Sequence, residues 1–157
     1  MSAAITPCLW FDDQAEPAAR YYCDVFKDAA IDAISRYGEG APLPAGTALT
    51  VNFTLRGRPF TALNGGPHFT FSEAVSFVVE CDDQGEIDHY WTALGDGGSE
   101  QQCGWLKDRY GLSWQIVPRQ MAAWMSDADP QRVNRVMQAL MQMIKIDIAT
   151  LERAYAN

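Results

Sequence analysis

Histidine is scarce among the side chains able to do chemistry: His68 and His89 are the only two in 157 residues. A catalytic metal centre built on several histidines is therefore largely excluded. Cysteines stand at 8, 23, 81 and 103 with no C-x-x-C pair, the pattern expected of reduced thiols in the cytoplasm. A reactive thiol among them would need an exposed, electropositive setting. No G-x-x-x-x-G-K-[ST] occurs, and no G-x-G-x-x-G follows a strand, so nucleotide phosphates have no evident cradle. The G-x-S-x-G elbow and H-E-x-x-H are missing too. His68 sits in a loop flanked by glycine and proline, of the kind that rims pockets. His89 is expected at the surface of a helix.

The richest local feature is 101–118, which puts Cys103, Trp105, Trp114 and Gln115 into one hairpin with its turn at 108–111. Strand alternation sends Ser113, Gln115 and Val117 one way, and Trp114 and Ile116 the other. If Trp114 faces the helices, Gln115 points onto the opposite face of the sheet. A buried glutamine needs partners, from protein, water or ligand. Gln115 is thus a pocket candidate, and a satisfied structural amide is the equal alternative.

The elements that must position these groups follow from period and punctuation. Ile5 to Phe11 reads as a strand, and Asp12-Asp13-Gln14 starts a helix running to about Phe26. Strands are expected over 30–37, 47–55 and 59–63, with a loop at 38–46 and a tight turn at Arg56-Gly57-Arg58. Val75 to Cys81 is the next strand, followed by Asp82-Asp83-Gln84-Gly85 and a helix at 86–94. Ile87, Tyr90, Trp91 and Leu94 form its buried stripe. Short strands follow at about 100–106 and 112–117. LWFDDQ at 9–14 and VECDDQ at 79–84 thus open two segments of the same element order. One such unit cannot bury its sheet alone, so two together make physical sense. Asp129-Pro130 then opens a helix expected to reach Ile144, and Asp147 caps a last one.

Composition sets the outer bounds. Hydrophobic residues make up 48% and charged ones 20%, which favours a packed globular chain over a disordered one. Acidic residues exceed basic ones 20 to 12, a net charge of −8, which argues against nucleic acid as partner. No run approaches 18 apolar residues, and the opening MSAAITP lacks the basic and apolar regions of a signal peptide. No membrane partner and a cytoplasmic location are expected.

The runs ITPCLWFDDQAEPAARYYCDVF, ALNGGPHFTFSEAVSFVVECDDQGEIDHYW and QQCGWLKDRYGLSWQIVP resemble the PhnB-like branch of the vicinal-oxygen-chelate superfamily. That superfamily includes glyoxalase I, extradiol dioxygenases and bleomycin-resistance proteins, and this branch is labelled 3-demethylubiquinone-9 3-methyltransferase. The resemblance implies an α+β fold of paired β-α-β-β-β modules forming a cupped mixed sheet, with a C-terminal helical extension. One domain over 1–157 is implied, with module one at about 4–66, module two at about 74–118 and a helical tail at about 119–157. A homodimer usually completes the cavity. The metalloenzymes' ligand positions fall at Pro7, within 60–64, at about Ala74 and at Gln115. Only Gln115 is a ligand type, with Asn64 a weak substitute, so neither metal nor other cofactor is expected. The first strand also lacks the glycine-rich loop that common methyltransferases use for S-adenosylmethionine. The expectation is a protein binding a small molecule in a cavity lined by some of Trp10, Asn64, Ser76, Trp105 and Gln115. The alternative is an enzyme on a small oxygenated substrate, of lyase, isomerase, dioxygenase or methyltransferase type, using either an unorthodox metal site or acid-base groups such as Asp108 or His68.

Overall fold

A computed structural model describes residues 5–157, so position 4, where module one is expected to begin, lies outside the described residues. The chain divides after Phe71 into two compact units. The first contains β1 (Cys8–Phe11), α1 (Ala15–Val25), β2 (Ala29–Arg36), β3 (Ala48–Leu55) and β4 (Arg58–Asn64). Its sheet runs β1-β4-β3-β2, with β1 parallel to β4 and the other pairs antiparallel. Alternation decides the faces: Leu9, Phe11, Val51, Phe53, Phe60 and Ala62 are buried on the side of α1. The helix answers with Ala15, Ala18, Ala19, Tyr22 and Val25, three of them small enough for close approach.

The start of α1 is capped from a distance. Gln14 makes no side-chain cap; instead Asn64 Oδ1 accepts from the Ala15 N–H at 2.8 Å, while Asn64 Nδ2 donates to the Ala48 carbonyl at 3.0 Å. On the outside of α1, the Glu16 carboxylate is held by Arg20 and Arg36 at 2.8 and 2.9 Å. Hydrogen bonds from Arg36, then Arg20, lower its pKa from 4.5 to about 2. A carboxylate with a depressed folded pKa stabilises the fold above its unfolded pKa and loses that contribution as pH falls through the folded value. Acid titration of stability is therefore expected to slope downward between about pH 4.5 and about 2. Glu16→Gln should flatten that slope in urea melts, and an unchanged slope would refute the assignment.

The second unit contains β5 (Ser76–Cys81), α2 (Gln84–Gly95), β6 (Ser99–Glu100), β7 (Trp105–Lys107), β8 (Ser113–Pro118), α3 (Met121–Met125), α4 (Pro130–Leu140) and α5 (Ile148–Ala156). Its sheet runs β5-β8-β7-β6, again with the first pair parallel. The α+β class and the repeated β-α-β-β-β order are thus as the sequence implies. Val79, Leu106, Trp114 and Ile116 are buried, as is the Ile87, Tyr90, Trp91 and Leu94 stripe of α2.

The two Asp-Asp-Gln turns do different work. Asp83 caps α2 by accepting from the Glu86 N–H at 2.9 Å. Gln84 bridges to the tail, its Nε2 donating to the Ile146 carbonyl at 3.0 Å and its Oε1 accepting from the Ile148 N–H at 2.9 Å.

The first strand, expected from Ile5, begins at Cys8, and two later elements also differ from the sequence reading. The strand expected at 100–106 is interrupted, because Cys103 (φ 61) and Gly104 (φ 82) turn the chain before β7 begins at Trp105. The helix expected to reach Ile144 stops at Leu140, where the Gln142 and Met143 N–H groups turn to carbonyls only three residues back, Ala139 and Leu140, at 3.2 and 2.9 Å. Beyond it the Met143 and Ile144 carbonyls accept from the Cys103 and Gly104 N–H groups, each at 2.8 Å. The helical tail expected from about 119 opens with a short helix, α3, which buries Trp124. Among the described residues, no helix is long and apolar enough to cross a membrane.

Candidate functional site

Each sheet keeps one face away from its helix, and strand register decides what stands there. In the first unit Cys8 lies beside Thr61, and Thr61 beside Asn52. In the second Val78 lies beside Gln115, and Gln115 beside Trp105. Aligning LWFDDQ on VECDDQ equates Cys8 with Val78, and the two rows then coincide strand for strand. The repeat legible in the sequence is therefore also a repeat of register.

The chemistry of the rows differs. In the first unit Thr61 Oγ1 donates to Asn52 Oδ1 at 2.9 Å. Desolvation pushes the Cys8 thiol up, so it stays protonated near neutral pH. In the second unit Gln115 Nε2 donates to Ser76 Oγ at 2.9 Å, and Gln115 Oε1 is left for another partner. Beside this amide Val78 is 56% exposed and Trp105 is half-buried. One step along the strands lies a second row, Ser76, Ser113 and Lys107. Amide, hydroxyl, indole and ammonium thus share one sheet face.

The structure brings together Ser76, Trp105 and Gln115, all in the second unit. Trp10 belongs to the first, where its Nε1 donates to the Gly66 carbonyl at 2.9 Å and its ring meets Phe69 edge-on at 4.9 Å. Gly65 is pressed on that ring, for a Cβ there would lie 2.2 Å from it. Asn64 points to the α1 side of its sheet, 1% exposed, with both amide atoms engaged inside the unit. It has no hydrogen-bonding capacity directed to the open face.

The acid-base candidates are placed elsewhere. Asp108 is 3% exposed and accepts from the Tyr110 and Leu112 N–H groups and the Trp114 indole. Both of its oxygens are committed to the hairpin. His68 is exposed near the Trp10 ring, and His89 is exposed against Tyr90. Cys103 is half-buried, its Sγ 3.6 Å from the Leu140 carbonyl. Sequence reasoning overlooked Lys107, whose Nζ lies 2.7 Å from Glu73 Oε1. Its spacing of two from Trp105 was the available signal.

The family model of 3-demethylubiquinone-9 3-methyltransferase matches residues 3–117. The chain belongs to that family. Its likeness to the PhnB protein from Bacillus cereus is 34% in sequence, covering 74% of this chain and 99% of that one, with a TM-score of 0.69. A glyoxylase/bleomycin resistance protein/dioxygenase domain from Frankia is 14% identical over 75% of this chain and 92% of its own, with a TM-score of 0.50. The fosfomycin resistance protein FosX from Listeria monocytogenes is 12% identical over 75% and 93%, also at 0.50. These two show a shared fold. A comparison with curated proteins found no match.

Two groups, one implied by the family's name and one by the sequence resemblance, can be tested against these residues. A chelated divalent metal would need donors at Pro7, within 60–64, near Ala74 and at Gln115. Pro7 offers only its carbonyl, which accepts from the Thr61 N–H at 2.9 Å, and Ala74 sits in the turn before β5. Among the described residues, no three of His, Cys, Asp and Glu converge on a point that could hold a metal. The usual ligand set does not fit. S-adenosylmethionine, bound as in doubly wound methyltransferases, would need the end of β1 and the start of α1. Asn64 Oδ1 already sits on the Ala15 N–H there, so that mode does not fit either.

Proposed function

We propose that the protein binds a small oxygenated organic molecule on the open face of the second unit's sheet, through hydrogen bonds and aromatic contact. The observation that carries this reading is the Ser76–Gln115 pair at 2.9 Å, which orients a half-buried amide beside Trp105 and the exposed Val78. An oriented amide next to apolar surface is the usual composition of a small-molecule site. Binding is preferred to catalysis because Asp108 is fully engaged and, of the residues at the expected metal positions, Pro7 and Ala74 have no side-chain donor and Asn64 is turned into its own unit, leaving Gln115 alone.

A thermal-shift screen of small aromatics and oxo-acids tests the reading. For a stabilising compound, Gln115→Ala is expected to weaken binding about fivefold to thirtyfold, the worth of one or two hydrogen bonds. Trp105→Ala should cost about tenfold or more. A compound that binds both variants as tightly as the parent would remove the site from this face. Metal analysis of protein purified without a histidine tag is the companion measurement; stoichiometric zinc, nickel or manganese would overturn binding through hydrogen bonds alone.

The same reading includes a homodimer and a cytoplasmic setting. Val75 and Val78 in the second unit are 64% and 56% exposed, apolar surface suited to cover by a second copy. Sedimentation at micromolar concentration giving only a 157-residue monomer would reject the dimer. The four cysteines are free thiols, in keeping with a reducing compartment.

A further inference from the structure

The Ser76, Ser113 and Lys107 row contains an anomaly. Ser113 is fully buried, and its hydroxyl has no hydrogen-bond partner among the described residues. Buried hydroxyls are normally satisfied, so this one calls for a physical reason. Register shows what surrounds it: Ser113 lies on β8 between Ser76 on β5 and Lys107 on β7. Lys107 Nζ meets Glu73 Oε1 at 2.7 Å, and Gln101 Nε2 donates to the same oxygen at 3.2 Å. Glu73 stands in the turn just before β5. An ion pair joining that turn to β7 has β8 between its anchors, at the level of Ser113. The pair thus bridges the row in which the unpartnered hydroxyl lies.

We infer that the Glu73–Lys107 pair is a displaceable latch over an oxyanion subsite, formed by the Lys107 ammonium and the Ser113 hydroxyl beside the Ser76–Gln115 pair. The inference rests on the small-molecule reading above and narrows its ligand to a small organic carboxylate. In the closed arrangement the Glu73 carboxylate occupies the Lys107 ammonium and leaves the Ser113 hydroxyl without an acceptor. In the open one the ligand's carboxylate takes Lys107 and gives Ser113 an acceptor, while its organic part lies toward Gln115 and Trp105. The latch is easily opened: the Lys107 and Glu73 side chains are 29% and 49% exposed, and an ion pair so hydrated holds weakly. No bond is made or broken; one carboxylate replaces another.

The test uses benzoate as probe and benzamide as its neutral counterpart, with affinities from calorimetry on the full chain. Benzoate should bind more tightly than benzamide. Glu73→Gln, which removes the competing charge, should tighten benzoate about threefold to fivefold and leave benzamide unchanged. Adding Lys107→Met to that variant should then cost benzoate about tenfold or more. Ser113→Ala should lower benzoate affinity without lowering the melting temperature, because the hydroxyl it removes has no bond to lose. A structural role for Ser113 would move the melting temperature instead. Equal binding of the two probes, with loss in Gln115→Ala, would overturn the latch and leave the small-molecule site standing. Benzoate weakened or unaffected by Glu73→Gln would also overturn it. Failure of both probes to bind the parent and Glu73→Gln would count against the latch and the site together.

Discussion

Asp108→Ala is expected to destabilise the second unit by about 3–5 kcal/mol, the sum expected when two buried donors and one part-buried donor lose one acceptor. Asp108 Oδ1 accepts from the Tyr110 and Leu112 N–H groups at 2.8 and 3.1 Å, and Oδ2 accepts from Trp114 Nε1 at 2.9 Å. The residue is 3% exposed and Trp114 2%, so water cannot replace the lost acceptor without opening the hairpin. Asp108→Asn should recover part of the loss. One oxygen can still serve the turn, but the amide nitrogen would face the indole donor. Urea denaturation followed by tryptophan fluorescence measures both. A loss below about 1 kcal/mol for alanine, typical of a surface substitution, would show that the carboxylate does not hold the hairpin together. The effect reaches function because the hairpin carries Trp105, Lys107, Ser113 and Gln115. Asp108→Ala should therefore weaken ligand binding together with a lowered melting temperature, whereas Gln115→Ala should weaken it in a protein that still melts normally.

What the sequence disclosed depended on how far apart the interacting groups are. The alternation that puts Trp114 inside and Gln115 outside is a property of neighbouring residues, and it could be read directly. So could the caps Asp129 and Asp147, whose targets lie two and three residues on, at Gln131 and Thr150. The repeated Asp-Asp-Gln turn was visible as text, and its match in strand register followed from the shared element order. Asn64 shows where such reading ends. Its type suited a pocket, but its partners are the Ala15 N–H and the Ala48 carbonyl, 49 and 16 residues away. No local pattern announces a strand-end amide that caps a distant helix. The Ser76–Gln115 bond spans 39 residues, so only the pairing of β5 with β8 reveals it. The stretch after α4 is fixed in the same way, since the Met143 and Ile144 carbonyls accept from the distant β6–β7 connection.

That connection carries the second large effect. Gly104→Ala is expected to cost about 2–4 kcal/mol, combining a backbone penalty with a steric one. At φ +82 an L-residue is strained, and the added Cβ would stand 2.8 Å from the Ile116 carbonyl oxygen and 2.7 Å from Ile146 Cδ1. The Ile146 methyl can yield, but the carbonyl is fixed in β8. Gly104 also donates to the Ile144 carbonyl at 2.8 Å and accepts from the Ile116 N–H at 2.7 Å, so it is the point where tail and sheet meet. Gly111 provides an internal control. Its φ is +83, nearly the same, yet a Cβ added there would have nothing within 4 Å. Gly111→Ala should therefore show the backbone penalty alone, about 1–2 kcal/mol. The difference between the two variants isolates the close packing of tail on sheet. Equal losses in parallel urea melts would mean that the tail shifts freely at Gly104 and that its contact there is not tight. A larger loss at Gly104, with faster proteolysis of the 141–157 segment than in Gly111→Ala, is the expected result. It would identify the 103–104 turn as the anchor that holds the helical tail to the sheet carrying Gln115.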